Sequence, residues 1–502
     1  VVPTELQLEV VAESASGEVA SDSLRVTVAA APVADDLADG MARDCAPFTA
    51  GVASGDPTAD GVVLWTYVND DRQEVSWQVA TDPLFRDLVA EGRAFVDPGS
   101  GTVHVDVQRL ASDTRYFYRF LTTEGMSSAL GRTRTAPRGA AASARFAVAS
   151  CSSIYSGYFN AYRRIAERDD LDLVIHLGDY IYDFVDAEEQ VRVPEPFPQV
   201  PSNEEEWAAR HEYYLADPDL RLARAMHPWF MLWDNHDVES RAAPTYNGSV
   251  DAFRRWNPMR MPDSGRPEIA YRTLSWGELV ELYAIDILLF RELDPVPGTN
   301  APSILGDEQW AWLEPTVERS TATWRLFGMQ KPFGQLRINP EFSVAIGGER
   351  RDIFDPGTWD GFPEDRARFL AMLDDNDLID NLFLSGDSHI SIGLNVVDDF
   401  DMPTRALGAE LLPTSISRGN FDEALGALAQ ERFLQFLVED TLRRNPHGVY
   451  LQLTKHGYGT LAIDADEIQA TYWYSEILAR SDEEEEGPTL VLHRGLAEWS
   501  PP

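Results

Sequence analysis

The stretch RFAVASCSSIYSGYFNAYRRIAERDDLDLVIHLGDYIYD, from Arg145 to Asp183, constrains this chain more than any other. Leu171–Leu177 is almost wholly apolar. Such a run has no face to give to water and belongs inside a sheet covered on both sides. Arg145–Ala149 is a second, shorter β-prone run, and between the two Tyr158, Tyr162 and Ile165 recur at helical spacing. Strand, helix and strand in that order predict a parallel α/β unit. Both strands run straight into polar loops, Cys151-Ser152-Ser153 after the first and Gly178-Asp179-Tyr180-Ile181-Tyr182 after the second. In an open parallel sheet the loops beyond the carboxyl ends of the strands form the ligand crevice. A thiol, a carboxylate and a phenol therefore arrive at one edge, and Gly178 lets the backbone come close to whatever Asp179 holds. The competing reading is a simple Gly-Asp turn beside a buried apolar cysteine.

The same theme returns three times. WFMLW opens into Asp234-Asn235-His236-Asp237, TWRLFGMQ is another apolar strand with a polar end, and NLFLSGD leads to Asp387 and His389. Four strand tips thus carry candidate groups: Cys151; Asp179 and Tyr182; Asn235 and His236; Asp387 and His389. Taken singly, each is as well explained by a helix cap or a turn. Taken together they are not, because unrelated caps have no reason to follow successive buried strands. Carboxylates, imidazoles, an amide oxygen and a thiol make up a metal-site inventory. That inventory suits hydrolysis of a phosphate ester, in which a metal-bound hydroxide attacks phosphorus in line. Asp179 is the natural bridging ligand, Asn235 a neutral oxygen ligand, and His236 a donor of the proton that the leaving oxygen needs. His176 lies within a strand and reads as core, and His104 falls in an all-β region.

That region spans about Phe48 to Pro137. VVLWT, VSWQVA, VHVDV and YFYRF are short strands separated by turn clusters, and Leu110–Tyr116 resembles the tyrosine corner of fibronectin-like sandwiches. Before it, LQLEVVA and LRVTVAA read as a β-hairpin or the tail of a β-sandwich module, followed by an Ala/Asp-rich linker over Ala34–Asp44. The expected division is therefore 1–44 as a β-rich segment with an acidic linker, 45–140 as an Ig/fibronectin-like β-sandwich, and 141–502 as an α/β catalytic domain with an acidic tail. Within the last, Val185–Glu206 reads as a Pro- and acid-rich loop, a helix follows Glu212, and Ser481–Glu486 reads as a solvated loop.

A formal charge of −41 excludes nonspecific nucleic-acid binding as the default, since nothing offsets repulsion from phosphates. It also requires local cations or metal ions wherever an anionic substrate binds. No apolar run is long enough to span a membrane, and no signal peptide is visible at Val1. Of the two cysteines, Cys45 and Cys151, the second is either a ligand or one end of a long-loop disulfide.

Against this background the chain resembles the PhoD-like alkaline phosphatase family, a branch of the calcineurin-like metallophosphatases. The likeness rests on FTAGVASGDPTADGVVLWT, ASCSS, GYFNAYRRIA, DLVIHLGDYIYD, HPWFMLWDNHDVES, YRTLSWGELVEL, ILGDEQWAWLE, WDGFPEDRARFL, LSGDSHIS, ELLPTSIS and KHGYGTLAI, in the family's order over roughly Phe48 to Tyr474. The resemblance implies a four-layer α/β/β/α catalytic sandwich and an extracytoplasmic home, periplasmic or secreted. It implies a ferric ion (Fe3+) held by Cys151, Asp179 and Tyr182, with calcium (Ca2+) beside it on Asn235 and Asp387, other divalent metals being alternatives. His236 and His389 are then expected near the substrate phosphate, with His389 also a metal ligand. Expected substrates are small-molecule or lipid phosphate esters. The alternatives are a phospholipase D-like phosphodiesterase and a non-catalytic phosphate- or surface-binding module on the same fold. The chain departs from the family pattern in reading Asp234-Asn235-His236-Asp237 where Asp-Asp-His-Glu is common, and in lacking an arginine after Asp286.

Overall fold

The computed structural model describes residues 4–13, 19–28 and 46–500, apart from 186–188, 198, 263, 294–301, 341–349, 351, 354 and 427–428. Among the described residues the strands form four sheets. The apolar runs make the two large ones. Ala144–Ala149, Leu173–His176 and Pro228–Met231 lie side by side and parallel in a ten-stranded sheet. Val280–Ile285, Trp324–Met329, Asn381–Ser385 and Ala406–Pro413 run parallel in a seven-stranded one.

Alternation along each strand sets the layers. Phe146 and Val148 point into a core shared by both sheets, with Leu282, Leu326, Leu382 and Leu411 opposite. Their neighbours Ala147 and Ala149 face the other way, toward the helices Asn160–Glu167, Glu204–Tyr214, Pro218–Met226 and Tyr246–Trp256. On the far face of the second sheet, Phe327 and Phe383 meet Trp310 and Leu313 of the helix Gly306–Glu318 and Phe369 of Pro363–Asp375. Because these strands are covered on both faces, their runs carry no polar alternation.

The 46–137 region forms two facing sheets around Val62, Leu64, Val75, Val79, Tyr118 and Phe120. One of the two is not self-contained. Val52–Gly55, Gly61–Tyr67 and Thr102–Gln108 are the end of the ten-stranded sheet, and Val52–Gly55 pairs in parallel with Pro228–Met231. The segment is thereby welded to the α/β part by main-chain hydrogen bonds. At its corner the Tyr116 hydroxyl accepts a hydrogen bond from the Ala111 amide at 2.9 Å. Ahead of it, Thr4–Glu13 and Val19–Val28 pair as an antiparallel hairpin. The linker 34–44 and Cys45 lie outside the described residues.

Three boundaries differ from expectation. The helix expected after Glu212 begins at Glu204, inside what reads as a loop, because the Asn203 side chain caps it by accepting from the Glu206 amide. It stops at Tyr214, and Asp217 with Pro218 starts a second helix, the Asp217 carboxylate accepting from the amides of Asp219 and Leu220. The acidic run also enters a strand, Glu484–His493, which pairs with Glu467–Ser475. Glu484 is tolerated there because Arg168 and the Tyr458 hydroxyl both reach it.

Candidate metal centre

All the candidate tips meet beyond the carboxyl ends of the parallel strands of both sheets. Cys151 follows Ala144–Ala149, Asp179 follows Leu173–His176, Asp234 follows Pro228–Met231, and Asp387 follows Asn381–Ser385. The loops are laced together by their main chains. Cys151 donates to the Gly178 carbonyl at 3.1 Å and Ser152 to the Asp179 carbonyl at 2.9 Å, while the Arg418 amide donates to the Cys151 carbonyl at 3.2 Å.

The backbone is strained where the site is built. Cys151 (φ 57°), Asp179 (φ 53°), Asp387 (φ 65°) and His389 (φ 57°) all adopt left-handed conformations without being glycine. Each such residue costs on the order of 1–3 kcal/mol and persists only when its surroundings over-determine it. Gly178 is required for a different reason. At φ 116° a Cβ on it would fall 2.7 Å from the Asp234 Cβ, so only glycine lets these two loops close on each other.

One group of ligand atoms comprises Cys151, Asp179 and His389, and a second comprises Asp179, Asp234 and Asp387; within each, the atoms lie within 4.8 Å of one another. Asp179 belongs to both, as a bridging ligand must. Tyr182 closes the first group: its hydroxyl donates to Asp179 Oδ2 at 3.0 Å and lies 3.3 Å from His389 Nε2. His389 donates through Nδ1 to the Gly419 carbonyl at 2.9 Å, which leaves Nε2 with its lone pair free to ligate. His236 stands beside the cluster, its amide 3.4 Å from Asp179 Oδ1 and its Nδ1 2.6 Å from Asp183 Oδ1.

The electrostatics favour a multivalent cation. Burial, reinforced by the Asp179 charge, drives the Cys151 thiol and the Tyr182 phenol well above their ordinary pKa values. Burial likewise raises Asp179 and Asp234, and neither carboxylate oxygen of Asp234 has a hydrogen-bond partner. Buried acids in this state need either protons or metal. The residues present therefore fit the expected ions, with a thiol and a phenol on one side and carboxylates with an amide on the other. Burial opposes the charge on His236, but Asp179 and Asp183 outweigh it and bring its pKa up to about 9. His389 goes the other way, held neutral by burial and Arg418, with its pKa lowered to about 3.

Every residue singled out from the sequence is brought together here. Tyr180 is not: it turns away, its hydroxyl accepting from Arg224 at 2.6 Å. His176 is core, bonded to the Tyr162 hydroxyl at 3.0 Å and stacked on Trp229. Cys151 is a free thiol. Four residues went unread. Asp234 is itself in the acidic group, ahead of Asn235. Asp183 orients His236. Lys331 donates to Asp387 and, at 3.3 Å, to Asn235 Oδ1. Arg418 lies over the Tyr182 ring at 5.2 Å and pairs with Glu189. Asp237 has another use, accepting from the amides of Tyr180, Ile181 and Asp234 and so tying the two acidic loops together. Asp234 and Lys331 both stand at strand ends, which is the signal that was available.

Residues 146–472 match the family described as PhoD-like phosphatase, and residues 33–137 match the N-terminal domain of PhoD-like phosphatases. Alkaline phosphatase D of Bacillus subtilis (strain 168) is 31% identical over 477 residues, covering 86% of this chain and 78% of that protein. A solved structure described as the structure of PhoD superposes with a TM-score of 0.78 at 28% identity, over 91% of this chain and 92% of that one.

Proposed function

This chain belongs to the PhoD-like phosphatase family and is a metal-dependent phosphate ester hydrolase, and we propose that Cys151, Asp179, Tyr182 and His389 hold ferric iron while Asp179, Asn235 and Asp387 hold calcium. Asp234 joins the second set, since its carboxylate is buried without a hydrogen-bond partner. The observation that carries the reading is the convergence on Asp179 of two ligand groups, one with a thiol and one purely of carboxylates. Multivalent cations held there would neutralise the carboxylates, draw charge from the phosphoryl oxygens and lower the pKa of attacking water.

The chain's own residues do the remaining work. His236, oriented by Asp183 through Nδ1, is left with Nε2 to hydrogen-bond a phosphoryl oxygen and hand a proton to the leaving oxygen. His389 holds its neutral tautomer through Gly419 and faces the iron side and the phosphate. Arg418 adds a positive charge beside Tyr182, which an anionic ester needs in a chain of net charge −41.

The two large sheets with outer helices support an α/β/β/α metallophosphatase sandwich, and the 46–137 sheets an Ig/fibronectin-like module. No helix among the described residues is long and apolar enough to cross a membrane. Ferric iron and a calcium site suit a compartment outside the cytoplasm, where calcium reaches the ~10⁻⁴–10⁻³ M at which extracellular modules bind it.

The test is metal analysis of the purified protein together with hydrolysis of p-nitrophenyl mono- and diesters, in wild type and Asp179→Ala. The variant is expected to fold, to lose metal, and to lose rate by more than the ~10–100-fold typical of outer-shell changes. Normal activity in Asp179→Ala would sink the assignment.

A further inference from the structure

Lys331 follows the strand Trp324–Met329 and arrives at the centre from the second sheet. Its side chain is only 11% exposed. The ammonium donates to Asp387 Oδ1 and to Asn235 Oδ1, and lies 3.8 Å from Asp234 Oδ2. These are the very groups assigned above to calcium, an assignment on which this inference rests. The iron side is built differently. Its nearby cation, Arg418, sits over the Tyr182 ring and is paired outward with Glu189.

We propose that Lys331 is a built-in competitor for the calcium site, a tethered cation that occupies the Asp387–Asn235 donors until a divalent ion displaces it. Three features of the site lead there. The ammonium consumes one oxygen of Asp387 and the amide oxygen of Asn235, both of which an oxygen-seeking cation needs. An ammonium and a divalent cation within a few ångströms of each other repel, so their occupancies oppose one another. Yet Asp234 keeps both oxygens without hydrogen bonds, so the lysine balances charge without saturating the pocket. A four-carbon stem carrying a rotatable ammonium can withdraw without moving the backbone. The consequence is an asymmetric centre. Its thiol-and-phenol half retains its metal, while its carboxylate half exchanges calcium in response to the surroundings.

The experiment is calcium titration calorimetry on protein freed of loosely held cations with EGTA, comparing wild type, Lys331→Met and Asp387→Asn, with thermal melts of the calcium-free forms. Removing the competitor is expected to tighten calcium binding roughly tenfold or more, within the ordinary range of coupling between sites. It is also expected to lower the melting temperature of the calcium-free form, because Asp234 and Asp387 lose their counter-ion. Weaker binding in Asp387→Asn with unchanged or weaker binding in Lys331→Met overturns the role of Lys331 while sparing the calcium assignment. Unchanged binding in Asp387→Asn overturns the assignment, and the inference with it. A second readout needs no variant: acetylation of Lys331 in the wild type, followed by peptide mass spectrometry, is expected to rise several-fold when calcium is added. Equal labelling with and without calcium overturns the displacement.

Discussion

The Tyr182 hydroxyl donates to Asp179 Oδ2 at 3.0 Å, bending the loop back so that the side chains of two residues three apart in sequence meet at the centre. Tyr180, in the same five-residue loop, goes to the opposite side and lies against Arg224. Two chemically identical side chains are thus sorted by backbone geometry alone.

That sorting predicts different outcomes for two conservative changes. A phenol raised by burial becomes a phenolate only against a strongly charged cation, and phenolate bound to ferric iron absorbs visible light. Purified protein is expected to be coloured. Tyr182→Phe should abolish or strongly weaken the band and lower the iron content, whereas Tyr180→Phe should leave both intact. A colourless, iron-free and fully active preparation would remove iron from the centre.

His236 and Asp183 act as a pair at 2.6 Å. His236→Ala is expected to keep its fold and most of its metal while losing rate by ~10²–10⁴-fold, the range of a positioned acid. Asp183→Asn should lose less, and should move the alkaline limb of the pH–rate profile downward, because the carboxylate helps hold the imidazole charged. An unshifted limb would make Asp183 a spacer.

Cys151 is free and buried. Its thiol, pushed up by burial and the Asp179 charge, can serve as a ligand only as a metal-bound thiolate. Cys151→Ser is expected to lose iron and activity together, and Cys45→Ser to retain both. A Cys45–Cys151 linkage found by mass spectrometry of the native protein would contradict this.

Away from the centre, His227 donates to the Ile165 carbonyl at 2.9 Å and is held neutral by burial and by Arg132, with its pKa lowered to about 4. A histidine whose folded value lies below its unfolded ~6.5 adds stability that is complete above that pH. The contribution drains away as pH falls toward 4, by at most about 3–4 kcal/mol at 1.36 kcal/mol per pKa unit. Melting temperature is expected to drop over that window, and His227→Gln, which retains a donor, should flatten the drop. An identical slope in the variant would assign the acid sensitivity elsewhere.

Much of this molecule is legible in its sequence. Buried parallel strands announce themselves, because a strand covered on both faces has to be apolar throughout, and several polar tips that follow such strands in succession point together to a site. Leu173–His176 and Gly178-Asp179 show both. Helix limits were less legible. Asn203 and Asp217 decide where helices start through side-chain hydrogen bonds to one or two backbone amides, which sit unmarked in a polar stretch. The acidic run is hard to read for a related reason, since Glu484 is at home in a strand because Arg168, 316 residues away, and the Tyr458 hydroxyl reach it.

Sequence by itself determined the α/β class and most of the candidate donor groups at the strand tips, since these follow from local periodicity and side-chain chemistry. Tertiary structure alone decided the grouping of those donors. It put Asp234 beside Asp179 and Asp387, gave His236 its partner in Asp183, and brought Lys331 across from the second sheet. The physical reason is that these pairings depend on left-handed turns at Cys151, Asp179, Asp387 and His389 and on two sheets closing around one core. No local pattern encodes a distance between residues that the chain separates by a whole layer.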